Sequence, residues 1–371
     1  MTDTLPPALH ISFPCNACGA EMAFDPPTDG MMCPHCGHQR AIETSADARR
    51  VAKREIRFDR ALDAQIPSAD FTQTKILDCG SCGAQVEWDD TTQATECPFC
   101  ATALVTGTGE HRQIKPQGVL PFQLTEDAAR AAMTAWLGKL WFAPNGLAEY
   151  ARKGRKMAGL YLPFWTYDAV TATDYKGRRG DEYTTTRTVQ RNGKSETETT
   201  TRIRWTPVKG HVAKNFDDVL VIASHALPEK FRDRVGEFDL NALEPFRADY
   251  LAGFGAEAYT VPLDEGFDDA KEIMERAIRR AIRQRIGGDK QQITWMETQH
   301  SGVTFKHVLL PIWLAAYSFR GKTYRFMVNA RSGHVVGERP WSWVKIGLAL
   351  LLAAAVAGGI AYWIWVNQEA G

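Results

Sequence analysis

Eight cysteines set the strongest constraint on how this chain folds, because all of them occur in C-x-x-C pairs within the first 100 residues. The segment CNACGAEMAFDPPTDGMMCPHCG (15–37) returns as CGSCGAQVEWDDTTQATECPFCA (79–101), so that every cysteine has a counterpart 64 residues later. Two such pairs bring four thiolates around one tetrahedral ion, the arrangement of a structural zinc site. The sequence therefore predicts two four-cysteine zinc ribbons, with ligands Cys15, Cys18, Cys33 and Cys36 in the first and Cys79, Cys82, Cys97 and Cys100 in the second.

Other thiol chemistry fits this spacing less well. A thioredoxin-like redox motif would be a single C-x-x-C beside a βαβ pattern, which is absent, whereas iron held by four thiolates has the same geometry and stays open. Four protein ligands leave no position for water or substrate, so the metal is predicted to be structural rather than catalytic. His35 and His38, near the last knuckle of the first copy, are predicted to be surface residues.

The charge of the two ribbons bears on what they bind. Between residues 13 and 39 there are three acidic side chains and no Lys or Arg, and between residues 76 and 104 there are five and none. Affinity for nucleic acid comes mainly from cations that neutralise phosphates, so these ribbons are poor candidates for reading DNA. Phe24, Trp88 and Phe99 suit either contact with a partner protein or packing on their own hairpins.

Residues 346–366 form the second compositional outlier, a run of 21 residues without a charge. At about 1.5 Å per residue such a helix spans the roughly 30 Å hydrocarbon core of a bilayer, and tryptophans flank both of its ends. Arg331, Arg339 and Lys345 precede it, so the positive-inside rule places the N-terminal bulk in the cytoplasm. With no secretory signal in MTDTLPPALHISFP, we expect a single-pass inner-membrane protein.

The remaining sequence indicates a multidomain chain that includes an α+β domain. SADARRVAKREIRFDRALDAQIP (45–67) is predicted to be one basic helix capped by Ser45, with Val51, Phe58 and Leu62 as a thin apolar stripe. A helix is predicted at 124–141, with Thr125 as its N-cap, and another at 267–288, with Gly287 as its C-terminal stop. Strands are predicted at 161–175, 181–190 and 195–206, with a hairpin turn at 191–194 and a further meander from residue 307. The expected organisation is ribbon 1 (1–44), helical basic linker (45–70), ribbon 2 (71–112), α+β domain (113–342), transmembrane helix (343–366) and a short external tail (367–371).

No catalytic constellation stands out. The chain lacks H-E-x-x-H and G-x-S-x-G, and TVQRNGKS (188–195) has Thr188 where a phosphate loop needs its first glycine. Histidines 211, 225, 300, 307 and 334 are dispersed single residues, each typical of a structural or surface role. We expect no enzymatic activity and no small-molecule substrate.

The cysteine knuckles, GVLPFQLTEDAA (118–129), GLYLPFWTYDA (159–169) and VNARSGHVVGERPW (328–341) together resemble a bacterial family of membrane-anchored, transcription-factor-IIB-type zinc-ribbon proteins. Members are often labelled primosomal or helicase-like, a label that implies an ATPase motor without a motif in this sequence. Some similar proteins are associated with the phage-shock protein PspA and an SPFH-domain partner in a membrane-stress assembly. The resemblance therefore implies a scaffold or adaptor that recruits protein partners to the bilayer.

Two hypotheses follow. The first is a membrane-anchored zinc-binding adaptor, possessing two structural zinc ions, for SPFH- or PspA-like partners. The alternative is a membrane-tethered nucleic-acid-binding protein of replication or transcription, which would use the basic helix at 49–60 and the arginines at 276–285.

Overall fold

The computed structural model describes residues 13–62, 71–79, 84–87, 97, 99, 109–144, 157–191, 194–227, 231, 234, 236–319 and 322–369. Within these ranges the chain has a four-cysteine cluster near its N-terminus, a large sheet-rich body and one long apolar helix at its C-terminal end. This architecture confirms the coarse prediction. Cys82, Trp88 and Cys100 lie outside the described residues.

Two small antiparallel sheets carry the cysteine segments. In the first, β1 (Ala23–Asp25), β2 (Gly30–Met32) and β3 (Gln39–Ala41) are joined in sequence order. In the second, β5 (Phe71–Asp78) lies between β6 (Gln85–Glu87) and β7 (Gly109–Ile114). The two sheets therefore share a hairpin but differ in where their third strand joins.

The segment between these sheets is not the single helix that was predicted. It forms α1 (Ala46–Ala52), a short strand β4 (Ile56–Arg57) and α2 (Phe58–Leu62). Ser45 caps α1 as expected, accepting a hydrogen bond from the Ala48 backbone at 3.1 Å. The helix breaks because Ile56 pairs with Phe305 of the body, which then lets Phe58 pack against two aromatic rings. Tertiary pairing outweighs helix propensity here.

A nine-stranded sheet forms the body. Its long members are β9 (Ala158–Arg191), β10 (Lys194–Ile222) and β13 (Lys290–Phe319), which run antiparallel in the order β10-β9-β13. β14 (Lys322–Asn329) and β15 (Val335–Gly337) complete the predicted meander, while the two-residue strands β8 (Gly118–Val119), β11 (Glu244–Pro245) and β12 (Gly255–Ala256) pair with the body or with each other. At about 3.3 Å per residue, the 34 residues of β9 extend roughly 110 Å.

Glycines inside these strands explain why their length was not predicted. The run KGRRG (176–180) separates two predicted strands, yet the structure continues through it without a break. A Cβ on Gly177 would lie 2.5 Å from the Gln292 carbonyl oxygen, and one on Gly210 would lie 2.6 Å from the Tyr175 hydroxyl. These glycines permit close packing within the sheet rather than turns.

Two helices pack on the body. α3 (Glu126–Gly138) begins at the predicted cap Thr125, and α4 (Leu263–Ile286) ends at the predicted stop Gly287, so both predictions are confirmed. α4 begins slightly earlier than predicted and buries Met274, Ile278 and Ile282 against the long strands. One apolar stripe at helical spacing therefore covers one face of the extended sheet.

The C-terminal helix α5 (Trp343–Glu369) is apolar on all sides. Within the described residues, Trp343–Trp363 is the one stretch long and apolar enough to cross a membrane, and none of it is buried in the protein. Its first turn is joined to the body, because the Ser342 backbone donates to the Phe142 carbonyl at 2.8 Å and the Lys345 ammonium donates to the Ala143 carbonyl at 2.8 Å.

Candidate metal centre

The four N-terminal cysteines converge on one point. Cys15, Cys18, Cys33 and Cys36 lie so that their sulfur atoms are all within 4.8 Å of one another. Each knuckle turns back through two backbone hydrogen bonds, such as Cys15 N to the Ala20 carbonyl at 2.8 Å and Gly19 N to the Cys15 carbonyl at 2.8 Å. Gly19 and Gly37 have φ of 76° and 73°, a backbone conformation that favours glycine. Both knuckles of the first segment are therefore tight turns that end at a glycine.

The spacing of the sulfurs fits a tetrahedral ion. Cys15 Sγ lies 3.6 Å from Cys36 Sγ, and Cys18 Sγ lies 3.5 Å from Cys33 Sγ. A Zn–S bond of about 2.3 Å implies neighbouring sulfurs about 3.8 Å apart, close to these distances. The four cysteines are therefore a suitable metal site, and a Zn²⁺ or Fe ion there would be closed to water and substrate.

Hydrogen bonds around this cluster shift the pKa values of its thiols in opposite directions. Backbone N–H groups of Cys36 and His35 lower the pKa of the Cys33 thiol to about 6. The Ala20 backbone acts to lower the pKa of Cys18, but hydrogen bonds with Cys36 and Cys33 raise it to about 12. These hydrogen bonds therefore favour ionisation of the Cys33 thiol and protonation of the Cys18 thiol.

The imidazoles near this site play no part in it. His35 and His38 are both exposed, and the group of mutually close ligand atoms contains cysteine sulfurs alone. Their prediction as surface residues is confirmed.

The second cysteine segment shares local structure with the first over the residues that are described. Cys79 N donates to the Ala84 carbonyl at 2.8 Å, which repeats the Cys15–Ala20 bond at the same offset. Cys79 and Cys97 are both buried. Since Cys82 and Cys100 lie outside the described residues, closure of a second four-sulfur site remains a prediction.

Both cysteine segments pack into the body, which settles the role of two aromatics. Phe24 is 4% exposed, lies 5.4 Å from the Tyr250 ring centroid, and its backbone N–H donates to the Ala252 carbonyl at 2.9 Å. Phe99 is 2% exposed and belongs to a core cluster with Leu120 and Leu160. Partner contact through these two rings, one of two open interpretations, is wrong; they pack within the chain.

The structure also contains a cluster of charged side chains that no sequence motif indicates. Glu55, Asp168 and Asp217 bring carboxylate oxygens within 4.8 Å of one another, and the buried Lys306 ammonium lies 2.7 Å from Asp218 and 3.4 Å from Glu55. Burial, followed by the hydrogen bond and charge of Glu55, raises the pKa of Asp168 to about 7. Since Lys306 already supplies a positive charge, we assign this cluster to holding β4 and the strand bulge at Asp218 against β13. The contributing residues are far apart in sequence, so no motif marks them.

The dispersed histidines stay apart in the structure. His307 is 3% exposed between Trp165 and Tyr259, and its Nδ1 lies 2.7 Å from the Ile114 carbonyl oxygen. Burial lowers its pKa to about 4, so its ring is neutral at physiological pH. His211 pairs with Asp174 at 3.0 Å on the exposed surface, and His225 lies 3.6 Å from Glu265. Each of these contacts joins the histidine to another part of the fold.

Comparison with known proteins identifies a relative that is similar over most of the chain. No family model matches the chain, and no solved structure matches it. The chain is similar to the Bacillus subtilis (strain 168) protein described as "Uncharacterized protein YdjG", with 27% identity over 371 residues. This alignment covers 95% of the chain and 99% of that protein.

Proposed function

We propose that this chain is a non-enzymatic adaptor, anchored in the inner membrane by α5 and stiffened by two structural zinc ions, which recruits protein partners at the cytoplasmic face. The observation that carries the proposal is the C-terminal helix. Trp343–Trp363 is long enough to span a bilayer, is unburied along its length, and is hydrogen-bonded to the body at its first turn. A soluble protein would have to hide such a surface.

The metal part of the proposal is supported by the first sulfur cluster and by the sequence repeat. Zinc suits four cysteine sulfurs 3.5–3.6 Å apart in the pairs described, and the Cys79–Ala84 turn repeats the knuckle of the first site. The ions would serve folding, since each hairpin is joined by three register pairs.

A surface for partners is supported by the outer end of the long hairpin. Pairing with β13 stops at Gly180, and β9 and β10 continue as two strands over residues 181–191 and 194–204, here called the arm. On one face of the arm, Thr184, Thr186 and Thr188 lie opposite Thr201, Thr199 and Thr197, and all six are exposed. A two-stranded ribbon is marginal alone, so a partner surface would stabilise it.

The nucleic-acid alternative is less well supported by the contacts of the basic residues. Arg49 binds both carboxylate oxygens of Glu244 at 2.9 Å, and Lys53 donates to the Asn241 carbonyl at 2.6 Å. On α4, Arg279 lies 2.6 Å from Glu275. Cations already paired within the protein have less to gain from phosphates.

Anchoring and metal content are tested together. The full-length chain should remain with membranes after alkaline carbonate extraction, whereas a chain ending at residue 342 should be released. Metal analysis should find two zinc ions per wild-type chain, and one in either the Cys15→Ser/Cys18→Ser or the Cys79→Ser/Cys82→Ser variant. Release of the full-length chain by carbonate would refute the anchor, and a single ion in wild type would refute the second site.

Recruitment is tested by capture from solubilised membranes, with mass spectrometry for SPFH-domain and PspA-like proteins. An arm-shortened variant would join Tyr183 to Arg202, which are register partners, through an Asn-Gly turn. We expect this variant to keep its zinc and its membrane association but to lose those partners. Equal capture by wild type and variant would exclude the arm. Tight, salt-sensitive DNA binding by residues 1–340 would favour the alternative function instead.

A further inference from the structure

An apolar groove lies where the C-terminal helix meets the body. It has a volume of about 610 Å³, within the roughly 300–1,000 Å³ of sites that hold small molecules. Leu137, Leu140 and Trp141 form one wall, and Leu348, Ala349 and Leu352 of α5 form the other. Trp141 is 80% exposed and Leu348 and Leu352 are each 70% exposed, so the protein itself leaves these side chains uncovered.

The position of the groove along α5 determines what can enter it. Lys345 to Leu352 corresponds to about 10 Å of helix, and these residues belong to the first half of the apolar stretch Trp343–Trp363. If α5 spans the bilayer as proposed above, this groove opens toward lipid at the interface and upper hydrocarbon layer. The inference therefore rests on the proposed anchor.

The loop that forms the body-side wall is built for a medium with little water. The carbonyls of Leu140, Trp141, Phe142 and Ala143 all accept hydrogen bonds, from Ala143 N, Lys345 Nζ, Ser342 N and Lys345 Nζ respectively, at 2.8–3.2 Å. Unpaired backbone groups are costly in lipid, and here four consecutive carbonyls are satisfied within the protein. Two of the donors come from the root of α5 itself, and the wall carries an exposed indole of the kind enriched at membrane interfaces.

We propose that this groove binds one acyl chain of a membrane phospholipid, wedged between α5 and the loop after α3. An acyl chain matches the apolar lining, and the bilayer supplies it at the depth where the groove opens. The bound acyl chain would make residues 140–144 a second contact with the membrane. The body would then lie at a fixed height above the bilayer instead of rotating about a single helix.

The test uses full-length protein in vesicles of phosphatidylcholine and phosphatidylglycerol that contain a phosphatidylcholine with a photoreactive diazirine in the middle of one acyl chain. After illumination, mass spectrometry should find lipid adducts on both walls, residues 137–144 and residues 345–352. Ala349→Trp fills the groove and should lower labelling of residues 137–144 on the order of tenfold.

Ala354→Trp is the matched control, because it adds the same indole five residues later on the opposite side of α5, and it should leave that labelling unchanged. Labelling of α5 alone in wild type, or equal labelling of residues 137–144 in the two variants, would overturn the proposal. A chain-to-chain crosslink through the groove would also overturn it, since a second copy would then be the occupant. Failure of the anchor itself is distinguishable, because the protein would not float with the vesicles at all.

Discussion

Replacing Phe24 should weaken the attachment of the first cysteine hairpin to the body, because this ring packs on two aromatic rings of the body. Phe24 is 4% exposed and lies against the rings of Tyr250 and Phe254 at centroid distances of 5.4 and 6.3 Å. Removing a buried phenylalanine side chain costs about 3–5 kcal/mol through lost transfer energy and the cavity left behind. Phe24→Ala keeps the backbone bond to the Ala252 carbonyl, so nearly all of the loss comes from side-chain packing.

The size of this loss makes its consequence measurable. About 4 kcal/mol corresponds to a thousandfold rise in the undocked or unfolded population, against a total stability of about 5–15 kcal/mol for a typical domain. An undocked hairpin exposes its sulfur cluster, so metal should pass to a chromogenic chelator much faster than in wild type. We expect a lower urea midpoint and faster metal transfer together.

Two further variants control this experiment. Phe24→Leu retains much of the apolar volume and should lose clearly less stability. Tyr183→Ala removes an aromatic ring from the exposed arm and should change stability by no more than about 0.5 kcal/mol. If Phe24→Ala matches wild type in both midpoint and chelation rate, the first hairpin is an independent unit and the packing argument is refuted.

Three other predictions concern buried groups of the body. Burial lowers the pKa of His307 to about 4 from an unfolded value of 6.5, so the stability that it contributes above pH 6.5 is lost as the pH falls toward 4. By about pH 5 the loss in the free energy of unfolding should be about 2 kcal/mol. His307→Gln should reduce this dependence on pH, which urea titrations at several pH values would measure. Burial and Glu55 raise the pKa of Asp168 to about 7 from 3.8, so its contribution to stability has the opposite sign: it is present below pH 3.8 and is lost as the pH rises from 3.8 through 7. Asp168→Asn should remove that loss, and a variant whose melting temperature falls over this range as steeply as that of wild type would contradict the assignment. Gly266→Ala would place a Cβ 2.6 Å from the Tyr167 hydroxyl and 2.7 Å from Trp165. The destabilisation from overpacking, about 1–3 kcal/mol, should outweigh the gain in helix propensity of about 1 kcal/mol. A variant that is as stable as wild type by calorimetry would show that the two rings move aside without cost.

Local signals in the sequence predicted those elements whose cause is local. Thr125 and Gly287 mark helix ends because capping depends on the few residues around them, and both positions are confirmed. The linker was predicted as one helix because its pairing partner, Phe305, lies far away in sequence. The close packing at Gly177 and Gly210 was not predicted for the same reason, since the atoms that approach these glycines, the Gln292 carbonyl oxygen and the Tyr175 hydroxyl, belong to other strands.

In the candidate site, too, features with a local cause were predicted and features that depend on distant residues were not. Cysteine spacing alone predicted the first four ligands, because a knuckle is a turn of a few residues that its own sequence specifies. What Phe24 contacts could not be read from its hairpin, since Tyr250 is 226 positions further along the chain. Glu55 and Lys306 are 251 positions apart in the sequence, so no sequence motif indicates this ion pair.

Packing also connects the metal centre to the lipid groove. One hydrophobic cluster contains Cys15 and Cys33 at one end, Phe122 and Trp313 in the middle, and Leu137 of α3 at the other. Leu137 in turn lines the groove beside α5. Because close-packed cores resist deformation, the first hairpin holds a fixed orientation relative to the C-terminal helix instead of hanging from a flexible linker. An adaptor that presents its arm to a membrane-bound partner needs such a fixed geometry, since a partner confined to the bilayer plane can be met at one height only. In the proposed adaptor, metal binding would then act on recruitment through the rigidity of the body.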